Sequence, residues 1–278
     1  MDRIRLIASD MDATLLDEQS QLPADFEETI HALAELGIRF APASGRPLYT
    51  LEAMFPTLQD ELVFIGDNGG AIRWKGQNLF TSEMSPEGWR ALNRLTREQG
   101  DIAVLCGLES AYVERSFAVH DAVLRHFYTK IEYVDRLEDV TAPADKFTIY
   151  LPQHNAQQAY DTVYDSQRSI YSVAVAGECW VDIMNPGVHK GAALQTLGQL
   201  WGLPSKRMKA SILPDTYNDA EMLRTAKYGF LMENGSVPLR RNVPFLAPSN
   251  REAGVMQVLH RVLAQNGCVC PKDFIPAH

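Results

Sequence analysis

The sequence predicts an α/β fold: a three-layer α/β/α core around a mainly parallel sheet, with a smaller α+β unit inserted into it. Short apolar runs alternate with helical patterns at both ends of the chain, which is the order that right-handed crossovers and parallel strands produce. Between these two regions the pattern changes to strand-like runs separated by occasional helices. We therefore expect a discontinuous core, residues 1–81 and 186–278, and an inserted α/β domain, residues 82–185.

The composition is that of a globular protein with a sizeable core. The chain has 278 residues, of which 46% are hydrophobic and 22% are charged, so one large or two moderate domains are expected. The formal net charge of −9 argues against a nucleic-acid backbone or an anionic membrane as the main partner. No apolar run approaches the roughly 18 residues of a membrane span, and the first strand begins too early to leave room for a signal peptide.

The cysteines indicate a reducing compartment. The chain has 4 of them, without Cys-x-x-Cys spacing, which is too few for a disulfide framework. Cys268 and Cys270 have no nearby histidine that would complete a tetrahedral zinc set. We therefore expect reduced thiols and a cytoplasmic protein. The oligomeric state does not follow from the sequence.

Three short apolar runs near the N-terminus predict buried strands: residues 4–8, 38–43 and 62–66. A helix between the first two is indicated by apolar residues at helical spacing, with Pro23 near its start and Gly37 just past its end. This order of strand, helix and strand predicts a crossover and parallel pairing.

Each of these strands ends in a polar turn. The first ends in Asp10 and Asp12, the second in Ser44, and the third in Asn68. Ligands of open parallel sheets bind beyond the carboxyl ends of the strands, so these side chains should lie within reach of one another. Two carboxylates so close repel, and a divalent cation would relieve that repulsion. Taken alone, however, the acidic pair is better explained as an ordinary turn, because Asp is favoured there.

The remaining elements follow from the same patterns. An amphipathic helix over residues 86–98 opens the insertion, whose sheet we expect to be antiparallel. The further predicted strands are residues 71–74, 77–80, 102–106, 147–151, 172–176, 180–184, 210–213 and 228–232. The further predicted helices are residues 48–55, 118–128, 155–166, 190–201, 220–226 and 252–265.

Four polar segments now stand in order along the chain: Asp10-x-Asp12-x-Thr14, Ser44-Gly45-Arg46, Lys190, and Asp215-x-x-Asn218-Asp219. This order resembles that of the haloacid dehalogenase superfamily of phosphotransferases. The insertion looks like the large α/β cap of the Cof-like sugar-phosphatase branch. The likeness covers essentially the whole chain and includes Asn68-Gly69 and the run from His189 to Leu194. Each motif is weak alone, but their order and spacing are specific. The resemblance implies a Rossmann-like core.

The resemblance also implies a reaction: Mg²⁺-dependent hydrolysis of a small phosphomonoester, such as a sugar phosphate, through an aspartyl-phosphate. Asp10 would be the nucleophile, and Asp12 the acid and base for the leaving alcohol and then for water. Lys190 would offset charge on Asp10 and the phosphate as a catalytic residue, with Ser44 bonded to a phosphoryl oxygen. The implied substrate-binding residues are Ser44, Gly45, Arg46, Asn68 and Asn218. The implied metal set is Asp10, Asp12 through its backbone carbonyl, Asp215 and Asp219.

Several assignments stay open. Arg46 and Asn68 could contact substrate or brace their loops. Two positions depart from the family pattern: Ala13 stands where glycine is usual, and Pro214 replaces the glycine before Asp215, which removes an N–H and fixes φ. Candidate contacts to the leaving group, none of them singled out, are Arg115, His120, Arg125, Glu178, Trp180 and Asp182.

Two other functions compete with hydrolysis. The first is a phosphomutase of the same superfamily, which would yield a sugar phosphate isomer without free phosphate. The second is a non-enzymatic binding protein with the same site, motivated by Pro214, which would bind a phosphorylated ligand tightly with negligible turnover.

Overall fold

A computed structural model gives the fold of residues 3–203, 209–213, 217–235 and 237–277; the side chains of residues 209–213, 217–220 and 242 are outside the description. Within these ranges the strands form two sheets, one of nine strands and one of six. None of the helices in these ranges is long and apolar enough to cross a membrane.

The helices and strands occur in the order that the sequence predicts for the core, with additional short strands. The first group is β1 (Leu6–Asp10), α1 (Phe26–Glu35), β2 (Arg39–Ala43), α2 (Leu48–Ala53), β3 (Val63–Gly66), β4 (Ala71–Trp74) and β5 (Gln77–Thr81). The middle group is α3 (Pro86–Gln99), β6 (Ile102–Gly107), β7 (Ala111–Glu114), α4 (Asp121–Phe127), β8 (Ile131–Val134), β9 (Ala144–Tyr150), α5 (Ala156–Thr162), β10 (Ser172–Val175) and β11 (Trp180–Met184). The last group is α6 (Lys190–Leu200), β12 (Lys209–Leu213), α7 (Tyr217–Thr225), β13 (Tyr228–Met232), β14 (Phe245–Ala247), α8 (Gly254–Ala264) and β15 (Ile275–Pro276).

The nine-stranded sheet is parallel through its centre. Its order is β15-β14-β13-β12-β1-β2-β3-β4-β5, and the pairings from β14 to β3 are all parallel. Antiparallel strands are added at the two edges, β15 on one side and the β4–β5 hairpin on the other. The predicted Rossmann-like α/β core is therefore confirmed, and β1 lies near the middle of it.

Helices cover both faces of this sheet and make three layers. Neighbouring residues of a strand point to opposite faces, and in β1 Ile7 joins one apolar cluster while Leu6 and Ala8 join another. The first cluster takes its helical residues from α1, α2 and α8, and the second from α6 and α7. All five residues of β1 are buried. The end of this strand is therefore held on both sides, which fixes the position of Asp10.

The six-stranded sheet is mostly antiparallel, in the order β10-β11-β9-β6-β7-β8. The expectation of a wholly antiparallel insertion was wrong at one pairing, because β7 and β8 run parallel. A 3₁₀ turn over Arg115–His120 and helix α4 make the crossover between them. The helix expected over residues 118–128 is shortened by that turn, and the one expected over residues 155–166 ends at Thr162, where a second 3₁₀ turn follows.

The chain passes between the two sheets twice, after β5 and after β11. The two connections touch, because the side-chain amide of Asn185 donates to the carbonyl oxygens of Ser82 at 3.2 Å and Glu83 at 2.8 Å. These connections lie where the sequence places the ends of the inserted domain. The division into core (1–81 and 186–278) and insertion (82–185) stays a prediction.

Candidate active site

The end of strand β1 places Asp10 at the floor of the site. The carboxylate ends a buried strand and is only 7% exposed. Lys190 Nζ forms an ion pair with Asp10 Oδ1, and the Thr14 hydroxyl lies 3.4 Å from Asp10 Oδ2. Ala13 in the same turn has φ of +57°, a left-handed conformation that favours glycine. The alanine that departs from the family pattern therefore stands where its methyl group is unfavourable.

Lys190 is presented by the first turn of α6. The His189 side chain caps this helix, with Nδ1 accepting from Ala192 N at 3.1 Å. Burial lowers the pKa of His189, against the opposing charge of Glu221, and a neutral ring is what an Nδ1 acceptor requires. Lys190 itself is 5% exposed. His189 therefore serves the helix that carries the lysine.

The turn after β3 packs directly against the start of α6. Gly69 has φ of +98°, and a Cβ atom there would lie 2.6 Å from the carbonyl oxygen of His189. Real Cβ atoms do not approach oxygen so closely, so only glycine allows this contact. The Asn68-Gly69 pair noted in the sequence thus brings the third turn next to Lys190.

Arg46 braces Asp12 and also reaches the α4 region. Its guanidinium binds both carboxylate oxygens of Asp12, with Nη2–Oδ1 at 3.0 Å and Nε–Oδ2 at 3.3 Å. Its Nη1 donates to the carbonyl oxygen of His126 at 3.1 Å, and its guanidinium carbon lies 5.4 Å from the centre of the Phe127 ring. The Arg46 side chain is 9% exposed, whereas the Asp12 side chain is 54% exposed. Arg46 therefore contacts a catalytic candidate and the second region of the chain at once.

Asn68 connects the turn after β3 to the six-stranded sheet through a hydrogen bond. Its Nδ2 donates to Asp182 Oδ2 at 2.7 Å, and Asp182 Oδ1 accepts from the Thr148 hydroxyl at 2.7 Å. Asn68 has φ of +56° and Asp67 has φ of +49°, so two consecutive residues hold left-handed conformations. Such conformations persist only when the surrounding contacts determine them. Asp182, one of the open candidates for leaving-group contact, has both of its oxygens engaged in this brace.

Ser44 is held by its own turn. The residue is 2% exposed, and its Oγ accepts from the backbone N–H of Arg46 at 3.1 Å. The backbone N–H of Ser44 donates to the carbonyl oxygen of Ile65 at 2.9 Å, and the carbonyl oxygen of Ser44 accepts from the backbone N–H of Asn68 at 3.0 Å. The turns after β2 and β3 are therefore joined through their backbones.

These residues surround one cavity of about 360 Å³ between the two sheets. The end on the nine-stranded sheet is polar and charged, and the opposite side carries the aromatic rings of Phe127, Tyr128 and Trp180. The lining residues of this cavity are Asp10, Asp12, Ala13, Ser44, Gly45, Arg46, Pro47, Asn68, Phe127, Tyr128, Lys146, Thr148, Val175, Ala176, Gly177, Trp180, Asp182 and Lys190. The structure thus brings together the predicted Asp10, Asp12, Ser44, Gly45, Arg46, Asn68 and Lys190.

Lys146 lines the cavity and forms an ion pair with Asp67, and the sequence interpretation missed both residues. Lys146 Nζ lies 3.2 Å from Asp67 Oδ1 and 3.5 Å from Asp182 Oδ2, and all three side chains are buried. Burial raises the pKa of Asp67 to about 6, with Lys146 opposing the rise. Burial also opposes the charge on Lys146, but Asp182 and its other neighbours raise the pKa of Lys146 well above its ordinary value. The available signal was that Lys146 directly precedes the predicted buried strand at residues 147–151, because lysine is almost never fully buried without partners.

The structure describes only part of the fourth polar segment, residues 214–219. Pro214 and Asp215 lie outside the described residues, and Asn218 and Asp219 lie in α7 without a described side chain. Among the residues that are described, no group of three or more His, Cys, Asp or Glu side chains could hold a metal ion. The predicted roles of Asp215, Asn218 and Asp219 therefore stay predictions.

Residues 7–259 match the family of haloacid dehalogenase-like hydrolases. The chain belongs to the haloacid dehalogenase-like hydrolases. It is 31% identical over 264 residues to the 5-amino-6-(5-phospho-D-ribitylamino)uracil phosphatase YbjI of Escherichia coli, covering 94% of this chain and 96% of that protein. It is 30% identical to the HMP-PP phosphatase of Cronobacter sakazakii, covering 87% and 89% of the two chains.

Solved structures of this family share the fold. The crystal structure of SMU.1108c from Streptococcus mutans superposes with a TM-score of 0.84 at 27% identity, covering 94% of this chain and 99% of that one. A haloacid dehalogenase-like hydrolase from Bacteroides thetaiotaomicron superposes with a TM-score of 0.81 at 22% identity, covering 94% and 100% of the two chains, and shows the fold alone. The resemblance to the Cof-like branch is confirmed, and this haloacid dehalogenase-like hydrolase is an enzyme of the phosphatase class.

Proposed function

We propose that the protein hydrolyses a small phosphomonoester in two steps, with Asp10 as the nucleophile. The observation that carries the proposal is the Asp10–Lys190 pair at the floor of a cavity that also reaches Asp12 and Ser44. A phosphomonoester dianion resists nucleophiles, so its charge must be neutralised and the attacking group held in line. A nearly buried carboxylate at the end of a rigid central strand, with a cation beside it, meets both needs.

In the first step, an oxygen of Asp10 forms a bond to phosphorus while the bond from phosphorus to the leaving oxygen breaks. Asp12 gives a proton to the leaving oxygen, which departs as the alcohol. Lys190 and the Ser44 hydroxyl bind the phosphoryl oxygens and stabilise the charge on them. The Arg46 guanidinium binds both oxygens of Asp12 and so fixes the orientation of the carboxylate toward the leaving oxygen.

In the second step, water attacks phosphorus and releases inorganic phosphate. Asp12 accepts a proton from that water, and the bond between phosphorus and the Asp10 oxygen breaks to restore the carboxylate. The half-exposed position of Asp12 suits this role, since its carboxylate must meet first an alcohol and then water.

The described oxygens fit a hard divalent cation such as Mg²⁺. Asp10 Oδ2 and the carbonyl oxygen of Asp12 lie 3.4 Å and 3.5 Å from the same Thr14 hydroxyl, so both oxygens are near the end of β1. Mg²⁺ binds such oxygen ligands. Asp10 and Asp12 would hold the ion together with Asp215 and Asp219. When bound, the cation would neutralise charge on the phosphoryl oxygens.

The region between β5 and α6 would act as the cap of the enzyme. Its aromatic side chains face the polar residues of the nine-stranded sheet across the cavity, so a leaving group would lie between the two sheets. Enclosure of this kind excludes water and selects the substrate. The named relatives act on phosphorylated small molecules, which supports a small phosphorylated metabolite as the substrate. The cytoplasmic location stays a prediction.

Hydrolysis of a generic aryl phosphate tests this function. The wild-type protein should release inorganic phosphate only when Mg²⁺ is present, and Asp10→Asn should abolish that release. Undiminished turnover in Asp10→Asn, or turnover that ignores the metal, would refute the mechanism. Formation of a sugar phosphate isomer without free phosphate would show a phosphomutase, and phosphate-ligand binding without turnover would show a binding protein.

A further inference from the structure

Lys146 is a buried lysine that crosses from one sheet to the other. It lies in β9, where every residue is buried, and it is itself 2% exposed. Its Nζ donates to the carbonyl oxygen of Gly45 at 2.5 Å, a contact between residues 101 positions apart. The six-stranded sheet therefore places one cation against the backbone of the turn after β2.

That turn has three successive carbonyl groups, and each accepts a hydrogen bond. The carbonyls of Ser44 and Arg46 accept from the backbone N–H groups of Asn68 and Asp67, each at 3.0 Å. Both of these donors belong to the turn after β3 in the same sheet. The carbonyl of Gly45, between them, accepts from the Lys146 side chain. Lys146 thus supplies the one anchor of these three that comes from the other sheet.

The Gly45 carbonyl is coupled to the Ser44 hydroxyl through a single peptide group. The Gly45 C=O and the Arg46 N–H belong to one planar trans peptide and point in opposite directions. With the oxygen held by Lys146, the N–H points to Ser44 Oγ, to which it donates at 3.1 Å. Because Ser44 Oγ accepts this bond, its own hydrogen is left to be donated elsewhere.

We propose that Lys146 is a positioning residue: by holding the Gly45 carbonyl, it orients the Gly45–Arg46 peptide so that the Ser44 hydroxyl donates into the cavity. The inference rests on the proposed function, in which Ser44 binds a phosphoryl oxygen. The Ser44 hydroxyl is then oriented toward a bound phosphoryl group only when the six-stranded sheet lies against the nine-stranded one. Approach of the two sheets and assembly of the phosphate site become one event.

The residues around Lys146 restrict the movement of its ammonium group. Asp67 and Asp182 balance its charge, and Asp182 is fixed in turn by the Asn68 amide and the Thr148 hydroxyl. A buried cation with three oxygen neighbours cannot rotate away without losing charge compensation. For the same reason, its removal leaves carboxylates without a counter-charge, so a charge-balanced variant must be available beside Lys146→Met.

The test is a double-mutant cycle on aryl phosphate hydrolysis, with kcat and KM measured separately for Lys146→Met, Ser44→Ala and the double variant. We expect Lys146→Met to lower kcat/KM by about 30-fold, less than the roughly 100- to 1000-fold loss of a whole donor, because the Ser44 hydroxyl stays and only its orientation is lost. In the Ser44→Ala background the same change should cost less than about threefold, because the hydroxyl that Lys146 orients is gone. If Lys146→Met lowers kcat/KM by the same factor with and without Ser44, the positioning role is overturned.

Three controls separate this result from misfolding and from failure of the proposed function. If thermal unfolding shows that Lys146→Met does not fold, the double variant Lys146→Met with Asp67→Asn replaces it in the cycle. This double variant removes both charges of a buried ion pair. Lys75→Met, on the exposed β4–β5 turn, should leave kcat/KM unchanged. Asp10→Asn in the same assay shows whether the observed hydrolysis is the proposed reaction. A wild-type protein without turnover would overturn both proposals, whereas additive losses overturn only the role of Lys146.

Discussion

Two buried lysines, Lys190 and Lys146, lie at the same cavity but differ in what they hold. Lys190 pairs with Asp10, and both residues belong to the nine-stranded sheet and its helices. Lys146 comes from the six-stranded sheet and holds the Gly45 carbonyl, with Asp67 and Asp182 around it. In the proposed mechanism, the first lysine offsets charge where the reaction occurs, and the second orients a loop beside it. The proposed reaction thus uses residues of the nine-stranded sheet and its helices, whereas the conformation of the loop beside it depends on both sheets.

The largest effect is expected at Lys190. Lys190→Met should lower kcat by about 10³-fold, because it removes a positive charge that faces the phosphoryl group in a nearly buried site. Lys272→Met, which changes an exposed lysine far along the chain, is the matched control and should leave kcat unchanged. Steady-state kinetics with an aryl phosphate measures both. A loss at Lys190 no larger than that at Lys146 would remove the distinction between the two lysines.

A smaller effect is expected at Arg46, which connects Asp12 to the α4 region. Arg46→Lys keeps the charge but loses the bidentate geometry, so kcat/KM should fall about tenfold. An aryl phosphate with a good leaving group needs little proton donation, so its loss should be smaller than that of an alkyl phosphate. Equal losses for both substrates would show that Arg46 does not act through Asp12.

The buried cluster around Lys146 should also affect stability in a pH-dependent way. Burial raises the pKa of Asp67 from 3.8 to about 6, so the folded state binds its proton more tightly than the unfolded state does. This contribution is complete below about pH 4 and is lost as the pH rises through about 6. Relative to Asp67→Asn, the wild-type free energy of unfolding should therefore fall by up to about 3 kcal/mol between pH 4 and 7. Denaturant unfolding of the two proteins at both pH values measures this difference, and a difference that does not change with pH would contradict the assignment.

The smallest effect is expected at Ala13. Its φ of +57° costs an alanine about 1 kcal/mol, whereas glycine adopts it freely at some cost in chain entropy. Ala13→Gly should therefore raise the free energy of unfolding by about 0.5 kcal/mol. Ala53→Gly, at the exposed end of α2, is the matched control and should lower it by a similar amount. Destabilisation by both changes would show that the turn carries no strain.

The sequence indicated the residues that line the cavity better than it indicated the contacts between the two sheets, for a physical reason. Asp10, Ser44 and Lys190 stand in short local motifs at the ends of strands and the start of a helix, and such motifs are visible in one stretch of sequence. Lys146 and Asp67 gain their meaning only from partners in another sheet. Arg46 and Asn68, left open between substrate contact and loop bracing, both take part in bracing contacts between the two regions.

The fold shows the same division. The parallel strands β1, β2, β3, β12 and β13 were predicted because they read as apolar runs. The parallel strand β14 was not predicted, since it has only three residues. In the six-stranded sheet, β7 and β8 escaped prediction because each has only four residues, many of them partly exposed. Their parallel pairing depends on a crossover through α4, which no local pattern encodes.

The most direct test of the mechanism is a rapid acid quench of Asp12→Ala with an aryl phosphate. A good leaving group needs no acid, so the first step should proceed, while the second step should be slow without a base. The account predicts a stoichiometric burst of aryl alcohol and a phosphoryl group on the peptide that carries Asp10, absent when Asp10→Asn is added. Release of alcohol and phosphate in equal amounts from the first turnover, with no phosphorylated peptide, would contradict it.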